Sequence, residues 1–178
     1  KIDYSNALIP NCTDELVVQA CEEALEYGFA AVAVFPSCVK EVVKRLEGSK
    51  VHSQIATGFP MGNHMMETKL TEAKIALDTG VKEVDMVMNL HRFFSKDYGY
   101  VQEELTKMVE LAAGYDVKVK LIIETGYLND EQKLIAGKIA VDAGAGFIKT
   151  CTGFGPGRAT VHDIGLLLDN FGDKIKIK

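Results

Sequence analysis

One pattern recurs along the sequence: an amphipathic helical segment, then a glycine, then a short apolar segment. The first clear example is 14-DELVVQACEEALEYG-28, which is followed by 29-FAAVAVFP-36. Apolar residues return there at the three- and four-residue intervals of one helix face, and Gly28 suits a left-handed C-terminal cap. The same order recurs over 67–89 and over 130–152. Alternation of this kind predicts parallel strands that are joined by helical crossovers.

Seven strands are predicted in all, and further helices are predicted at 39–48 and 98–114. The strand segments are the N-terminal KIDYS and residues 29–36, 51–57, 81–89, 117–125, 145–152 and 174–178. Two architectures suit this pattern, a doubly wound open sheet and a (β/α)₈ barrel. The phosphate-loop signatures that often accompany the open sheet, GxGxxG after the first strand and GxxxxGK[ST], do not occur.

Polar residues inside the strand segments favour the barrel. Such residues are costly in a sheet that helices cover on both faces, whereas a barrel lumen holds polar groups near the C-terminal ends of its strands. The residues concerned are Asp85, Lys118, Lys120, Lys149, Lys176 and Lys178. We therefore predict an α/β fold, a TIM (β/α)₈ barrel, as a single domain over residues 1–178. Because closure needs eight strands, this domain is expected to lack its last strand and helix.

Composition excludes several classes of protein. The net charge of -5 and the isoelectric point near 5.4 give no basic surface for nucleic acid. No apolar run approaches the ~20 residues of a membrane span, and KIDYSNAL does not resemble a signal peptide, so no membrane contact and a cytoplasmic location are predicted. The four cysteines and four histidines lack metal-ligand spacing, so we expect reduced, packing thiols, no metal and no cofactor.

The segment 147-FIKTCTG-153 places a lysine inside an apolar strand, where Phe147, Lys149 and Cys151 share one face. In one interpretation the lysine packs its stem and extends its charge into water. In the other its amine is desolvated in a lumen, and a desolvated lysine has a lowered pKa and a neutral amine that attacks carbonyl carbons. Lys178 would supply a second cation if both side chains face the lumen; taken alone, it is more simply a solvent-exposed charge.

Two carboxylates and one loop complete the candidate chemistry. Asp85 shares a strand face with Val87, and a buried carboxylate there is either the structural partner of a lysine or a proton-transfer group. Glu124, at the end of LIIETG, raises the same question. The loop 153-GFGPGRAT-160 precedes a helix, and it either presents backbone N–H groups to a phosphate or is a tight turn without a ligand.

Taken together, several segments resemble the deoxyribose-phosphate aldolase family, a family of class I aldolases, in order and in spacing. They are 57-TGFPMGNHMMETKLTEA-73, 83-EVDMVMN-89, 121-LIIETGYL-128, 143-AGAGFIKTCTGFGPGRAT-160 and 172-GDKIKIK-178. The resemblance implies a (β/α)₈ barrel that reversibly cleaves 2-deoxy-D-ribose 5-phosphate to acetaldehyde and D-glyceraldehyde 3-phosphate, without a metal or organic cofactor. It also implies a part in deoxyribonucleotide catabolism and carbohydrate degradation.

The resemblance assigns roles by motif. Lys149 matches the lysine that forms the Schiff base, Asp85 the acidic proton-relay residue and Lys178 the second lysine, which would keep Lys149 unprotonated by repulsion between like charges. Thr152 and Gly153 match substrate-binding positions, with Gly153 beside the phosphate. The implied partners are a phosphorylated sugar and small aldehydes, and a homodimer or higher homo-oligomer is compatible with the sequence.

The sequence departs from the family pattern in three places. The family's DHTLL strand reads 3-DYSNALIP-10 here, so Asp3 aligns only if one residue is inserted. Cys151 stands where the family commonly has serine, and the chain ends at Lys178, where the family continues into a glycine pair and an eighth strand. Two alternatives to the aldolase therefore stay open: a catalytically inactive binding or scaffold protein derived from the barrel, and a Schiff-base lyase for another sugar or keto-acid phosphate.

Overall fold

In the computed structural model, which describes residues 2–178, seven parallel strands form one sheet in sequential order from β1 to β7. The strands are β1 Asp3–Tyr4, β2 Ala31–Val34, β3 His52–Thr57, β4 Glu83–Val87, β5 Lys118–Ile122, β6 Phe147–Lys149 and β7 Lys176–Ile177. The helices are α1 Asp14–Tyr27, α2 Val39–Leu46, α3 Met66–Thr79, α4 Leu90–Phe94, α5 Tyr98–Ala113, α6 Asp130–Asp142 and α7 Val161–Phe171. Sequential order with helical crossovers is the arrangement of a (β/α) barrel, so the predicted fold class is confirmed, with seven of the eight strands present.

The elements begin and end where the sequence provides caps. Thr13 accepts a hydrogen bond from the backbone N–H of Leu16 at the start of α1, and Gly28 ends that helix with a φ of 64°. Helix α6 starts with a reciprocal pair between Asn129 and Gln132. These caps satisfy helix-end groups that have no partner inside the helix. Most of the strands are shorter in the structure than was predicted. Lys1, which belongs to the predicted first strand, lies outside the described residues.

Strand alternation divides the side chains of the sheet between two faces. On β4, Val84 and Met86 are fully buried against the helices, within the main apolar core. Glu83 and Asp85 point to the opposite, inner face, where they contact Lys120 of β5. This division follows from the two-residue period of a strand, and it concentrates charge in the lumen.

The sheet is curled enough for side chains near its two edges to meet. Lys178, directly after β7, places its Nζ atom 2.9 Å from Oδ1 of Asp3 in β1. Among residues 2–178, β1 pairs only with β2, and β7 pairs only with β6. The contact across the lumen is therefore made by side chains and not by the backbone.

None of the helices within residues 2–178 combines the length and the apolar character that crossing a bilayer requires.

Candidate active site

Lys149 and Asp85 meet in the lumen. Lys149 is the last residue of β6, and its neighbour Ile148 is fully buried on the helix side, which directs the lysine inward. Its Nζ atom lies 2.6 Å from Oδ2 of Asp85 on β4, two strands away. The lysine side chain is 18% exposed and the aspartate side chain is 0% exposed. The amine is therefore open to a small molecule, while its carboxylate partner is closed to bulk water.

Two further side chains hold Asp85. Nε2 of Gln54, on the neighbouring strand β3, donates a hydrogen bond of 2.7 Å to Oδ2. Nζ of Lys120, on β5, lies 3.3 Å from Oδ1 and also contacts Glu83 and Asp3. Burial alone would lower the pKa of Lys120, but the carboxylates of Asp85, Glu83 and Asp3 outweigh burial and raise it above the ordinary lysine value. Lys120 is therefore a cation under all ordinary conditions.

Lys178 reaches the lumen but binds Asp3. The structure pairs its amine with Asp3 at 2.9 Å, and Lys120 contacts both Asp3 and Asp85. Burial by itself would raise the pKa of Asp3, but the ammonium groups of Lys120 and Lys178 hold that pKa below its usual value. Asp3, which aligns with the family pattern only if one residue is inserted, thus belongs to a cluster of charged side chains in the lumen.

The loop after β6 is anchored by Glu124. Its Oε2 accepts hydrogen bonds from both the backbone N–H, at 3.1 Å, and the hydroxyl of Thr152. Both donors of the predicted substrate-binding threonine are therefore engaged by a carboxylate. Gly153 is exposed and has a φ of 87°, a conformation that favours glycine. A Cβ atom on Gly155 would lie 2.8 Å from the Glu124 carboxyl carbon, so the loop packs directly on this side chain.

Within residues 2–178, no group of three or more His, Cys, Asp or Glu side chains is arranged to hold a metal ion. His52 instead pairs with Glu83 at 2.8 Å, and His162 pairs with Asp130 at 2.8 Å. The four thiols are free, and Cys21 is the buried one.

Three residues of the cluster were not assigned a role from the sequence: Gln54, Glu83 and Lys120. The sequence does contain a signal that could have identified them, because each is a polar residue in a predicted strand segment. Lys120 was noted as such, and the period of two then places Glu83 on the same face as Asp85. The pairing between strands, which brings Gln54 to Asp85, has no local signature in the sequence.

The parallel sheet is rolled around a lysine and a carboxylate. These groups lie at the end of the strands where barrel enzymes carry out their chemistry. The fold and the site together define a (β/α) barrel protein whose candidate active site contains a lysine. Comparison with known proteins narrows this class. The DeoC/LacD family aldolase model matches residues 4–167. The chain belongs to this family, and the protein is an aldolase, a carbon–carbon lyase.

Curated relatives and solved structures agree with this assignment. The deoxyribose-phosphate aldolase of Caldanaerobacter subterraneus subsp. tengcongensis is 42% identical over 178 residues, covering 99% of this chain and 77% of that protein. The deoxyribose-phosphate aldolase of Caldicellulosiruptor saccharolyticus is 46% identical over 169 residues, covering 94% and 77%. The tetrameric deoxyribose phosphate aldolase of Aeropyrum pernix superposes with a TM-score of 0.90 at 28% identity, covering 98% of this chain and 73% of that one. An aldolase named QR15 gives 0.93 at 35% identity, covering 99% and 77%.

Proposed function

We propose that this aldolase reversibly cleaves 2-deoxy-D-ribose 5-phosphate to acetaldehyde and D-glyceraldehyde 3-phosphate through a Schiff base on Lys149. The observation that carries the proposal is the 2.6 Å contact between the Lys149 amine and the buried Asp85 carboxylate. The names of the curated relatives supply the substrate. A lysine amine that is partly open and lies beside a proton acceptor has what carbonyl addition requires.

The covalent steps follow from the chemistry of an amine and an aldehyde. The free Lys149 amine adds to carbon 1 of the open-chain sugar, and the resulting carbinolamine loses water to give a cationic imine. The imine withdraws electrons, so the bond between carbons 2 and 3 breaks while the hydroxyl on carbon 3 loses its proton. Glyceraldehyde 3-phosphate leaves, and the two-carbon enamine remains on the lysine. Protonation at its terminal carbon and hydrolysis of the imine release acetaldehyde and restore the amine.

Proton transfer is assigned to Asp85. In the starting state its Oδ2 atom accepts from Lys149, so it is placed to take the proton that addition to the carbonyl releases. Returned to the carbinolamine hydroxyl, the same proton lets that hydroxyl leave as water. Lys120 places a positive charge beside the other oxygen of Asp85, at 3.3 Å.

The remaining predicted residues are assigned to the edges of the site. Lys178 is proposed to act through Asp3, to which its amine is bound, as a second positive charge in the lumen. Gly153, exposed at the end of β6, is proposed to present its backbone to the phosphate. Thr152 would bind substrate only after one of its donors turns away from Glu124. A homo-oligomer is also proposed, supported by the tetrameric Aeropyrum pernix relative.

Borohydride trapping tests the mechanism. The protein is incubated with acetaldehyde, reduced with borohydride, digested and analysed by mass spectrometry. We expect a stable ethyl adduct on Lys149, which is absent in Lys149→Met and retained in the control Lys118→Met, whose lysine is exposed two residues from Lys120. A full-length protein without an adduct would favour the inactive binding or scaffold protein. Trapping by other donors, but not by acetaldehyde, would favour a Schiff-base lyase with a different substrate.

A further inference from the structure

Among residues 2–178, Gln54 is the one neutral side chain that binds the Asp85 carboxylate. It is fully buried on β3, and its Nε2 atom donates a 2.7 Å hydrogen bond to Oδ2 of Asp85 on the adjacent strand. The same oxygen accepts from Lys149. One carboxylate oxygen is thus fixed from two sides, by an amide that holds its position and by an amine that reacts.

The orientation of the Gln54 amide is determined by its partner. An ionised carboxylate only accepts hydrogen bonds, so the NH₂ end of the amide must face it and the carbonyl end must face elsewhere. Oε1 of Gln54 is buried and accepts no hydrogen bond from any side chain or backbone group of residues 2–178. A buried acceptor without a donor is costly, so a ligand group that donates a hydrogen bond to it would be favoured.

We propose that Gln54 both positions Asp85 and binds the departing hydroxyl during imine formation on Lys149. Its amide holds Asp85 Oδ2 in line with the lysine amine, and its Oε1 accepts a hydrogen bond from the hydroxyl that departs as water from the carbinolamine. The inference rests on the proposed Schiff-base function. It adds to the proposed mechanism a residue that does not contact the carbon skeleton of the substrate. It also explains the buried, unpartnered oxygen as a hydrogen-bond acceptor in the dehydration step.

The first test replaces the amide with an apolar group of similar length. Gln54→Met is expected to slow borohydride trapping of acetaldehyde by roughly 10- to 100-fold, because a misplaced catalytic group costs rate, with the acetaldehyde KM changed less than about twofold. Gln19→Met is the matched control, since Gln19 makes the same amide-to-carboxylate contact, with Glu23 at 2.8 Å, on an exposed helix surface. Urea unfolding of both variants verifies that the fold is retained.

The second test asks whether residue 54 is coupled to the carboxylate that moves the proton. Gln54→Glu keeps the shape of the side chain but places a second carboxylate against Asp85, and two such groups share a proton. The pH–rate profile of trapping is expected to shift to higher pH, and an unshifted profile would show that residue 54 is not coupled to that proton transfer. The ionisable groups around this pair, which the shift reflects, are Lys149 on β6, Lys120 on β5, Glu83 on β4, Asp3 on β1 and Lys178 after β7.

The possible outcomes distinguish a failure of this inference from a failure of the proposed function on which it rests. A wild-type protein that forms no adduct with acetaldehyde defeats the proposed function itself. A wild-type protein that forms the adduct, together with a folded Gln54→Met variant that traps equally fast and a Gln54→Glu variant with an unshifted profile, overturns the role of Gln54 alone. Slower trapping in the first variant and the shifted profile in the second support it.

Discussion

At the scale of single residues, the lumen is a balanced set of charges. The amino groups of Lys120, Lys149 and Lys178 are paired with the carboxylates of Asp3 and Asp85, and Glu83 adds a third carboxylate. Buried charge is tolerated only when it is paired, so each member of the cluster depends on the others. Lys149 differs from the surface lysines of the chain in that its carboxylate partner is fully buried.

Asp3 provides a pH-dependent test of this cluster. Its folded-state pKa is lowered by Lys120 and Lys178, so its contribution to stability is fully present above the unfolded value, near 3.8, and is lost as the pH falls through the folded value. Asp3→Asn is expected to lower the urea midpoint at pH 7, and the difference from wild type is expected to shrink below about pH 4. Asp173→Asn, at an exposed position, is the control. A deficit that stayed constant down to pH 3 would contradict the ion pairs.

Cys21 provides a second residue-scale prediction. It is 1% exposed, and burial raises the pKa of its thiol to about 11. Because the thiolate is the reactive form, native protein treated with iodoacetamide at pH 8 is expected to be alkylated at the half-buried Cys12, Cys38 and Cys151 well before Cys21. Peptide mapping measures the order. Equal labelling of all four thiols would mean that α1 opens readily in solution.

The candidate site could be predicted from the sequence only where the local period of a strand determines which face of the sheet a side chain points to. The period of two placed Lys149 and Asp85 on inner faces, and the structure has both there. The contact between Lys178 and Asp3 was not predicted, because Asp3 is 175 residues away in the chain and only the curvature of the whole sheet brings the two together. Long-range pairing of this kind leaves no trace in the pattern around either residue.

At the scale of elements, a buried ion pair connects two helices to the end of β4. Nζ of Lys69 on α3 lies 2.9 Å from Oε2 of Glu104 on α5 and 2.9 Å from the carbonyl oxygen of Val87. Both charged side chains are 0% exposed. Burial lowers the pKa of Lys69 and raises that of Glu104, in each case against the effect of the partner's charge. Each charge is therefore tolerated only because the other is present.

Removing one member of this pair is expected to be much worse than removing both. Lys69→Met leaves Glu104 buried without a counter-ion and should reduce the free energy of unfolding by about 3–5 kcal/mol, while adding Glu104→Met should recover part of the loss. Lys74→Met on the same helix, whose exposed partner is Asp78, should cost less than about 1 kcal/mol. Urea denaturation of the three variants checks the ranking. A Lys69→Met variant as stable as Lys74→Met would show that the buried pair contributes nothing.

At the scale of the whole molecule, the order and direction of the strands were easier to predict than their lengths. The alternation of helices, glycines and apolar segments led to seven parallel strands, and all seven are found. Their lengths were overestimated: 145–152 was predicted as a strand, but only Phe147–Lys149 is one. Beyond Lys149 the backbone turns into the glycine loop that packs on Glu124. Strand propensity does not predict where the strand ends, because the polar contact that accompanies the turn comes from Glu124, which follows β5 and is distant in the sequence.

The unequal strand lengths lead to a prediction for hydrogen exchange. Strands β3, β4 and β5 contain five or six residues and have a neighbour on each side, whereas β1 and β7 contain two residues each and pair with one neighbour among residues 2–178. Since exchange through local opening is fastest where few hydrogen bonds must break, peptides from the ends of the sheet should exchange roughly a hundredfold faster than those from its centre. Deuterium uptake measured by mass spectrometry, normalised to urea-unfolded protein, tests this. Uniform protection from β1 to β7 would mean that opening is global and that the sheet has no weaker edges.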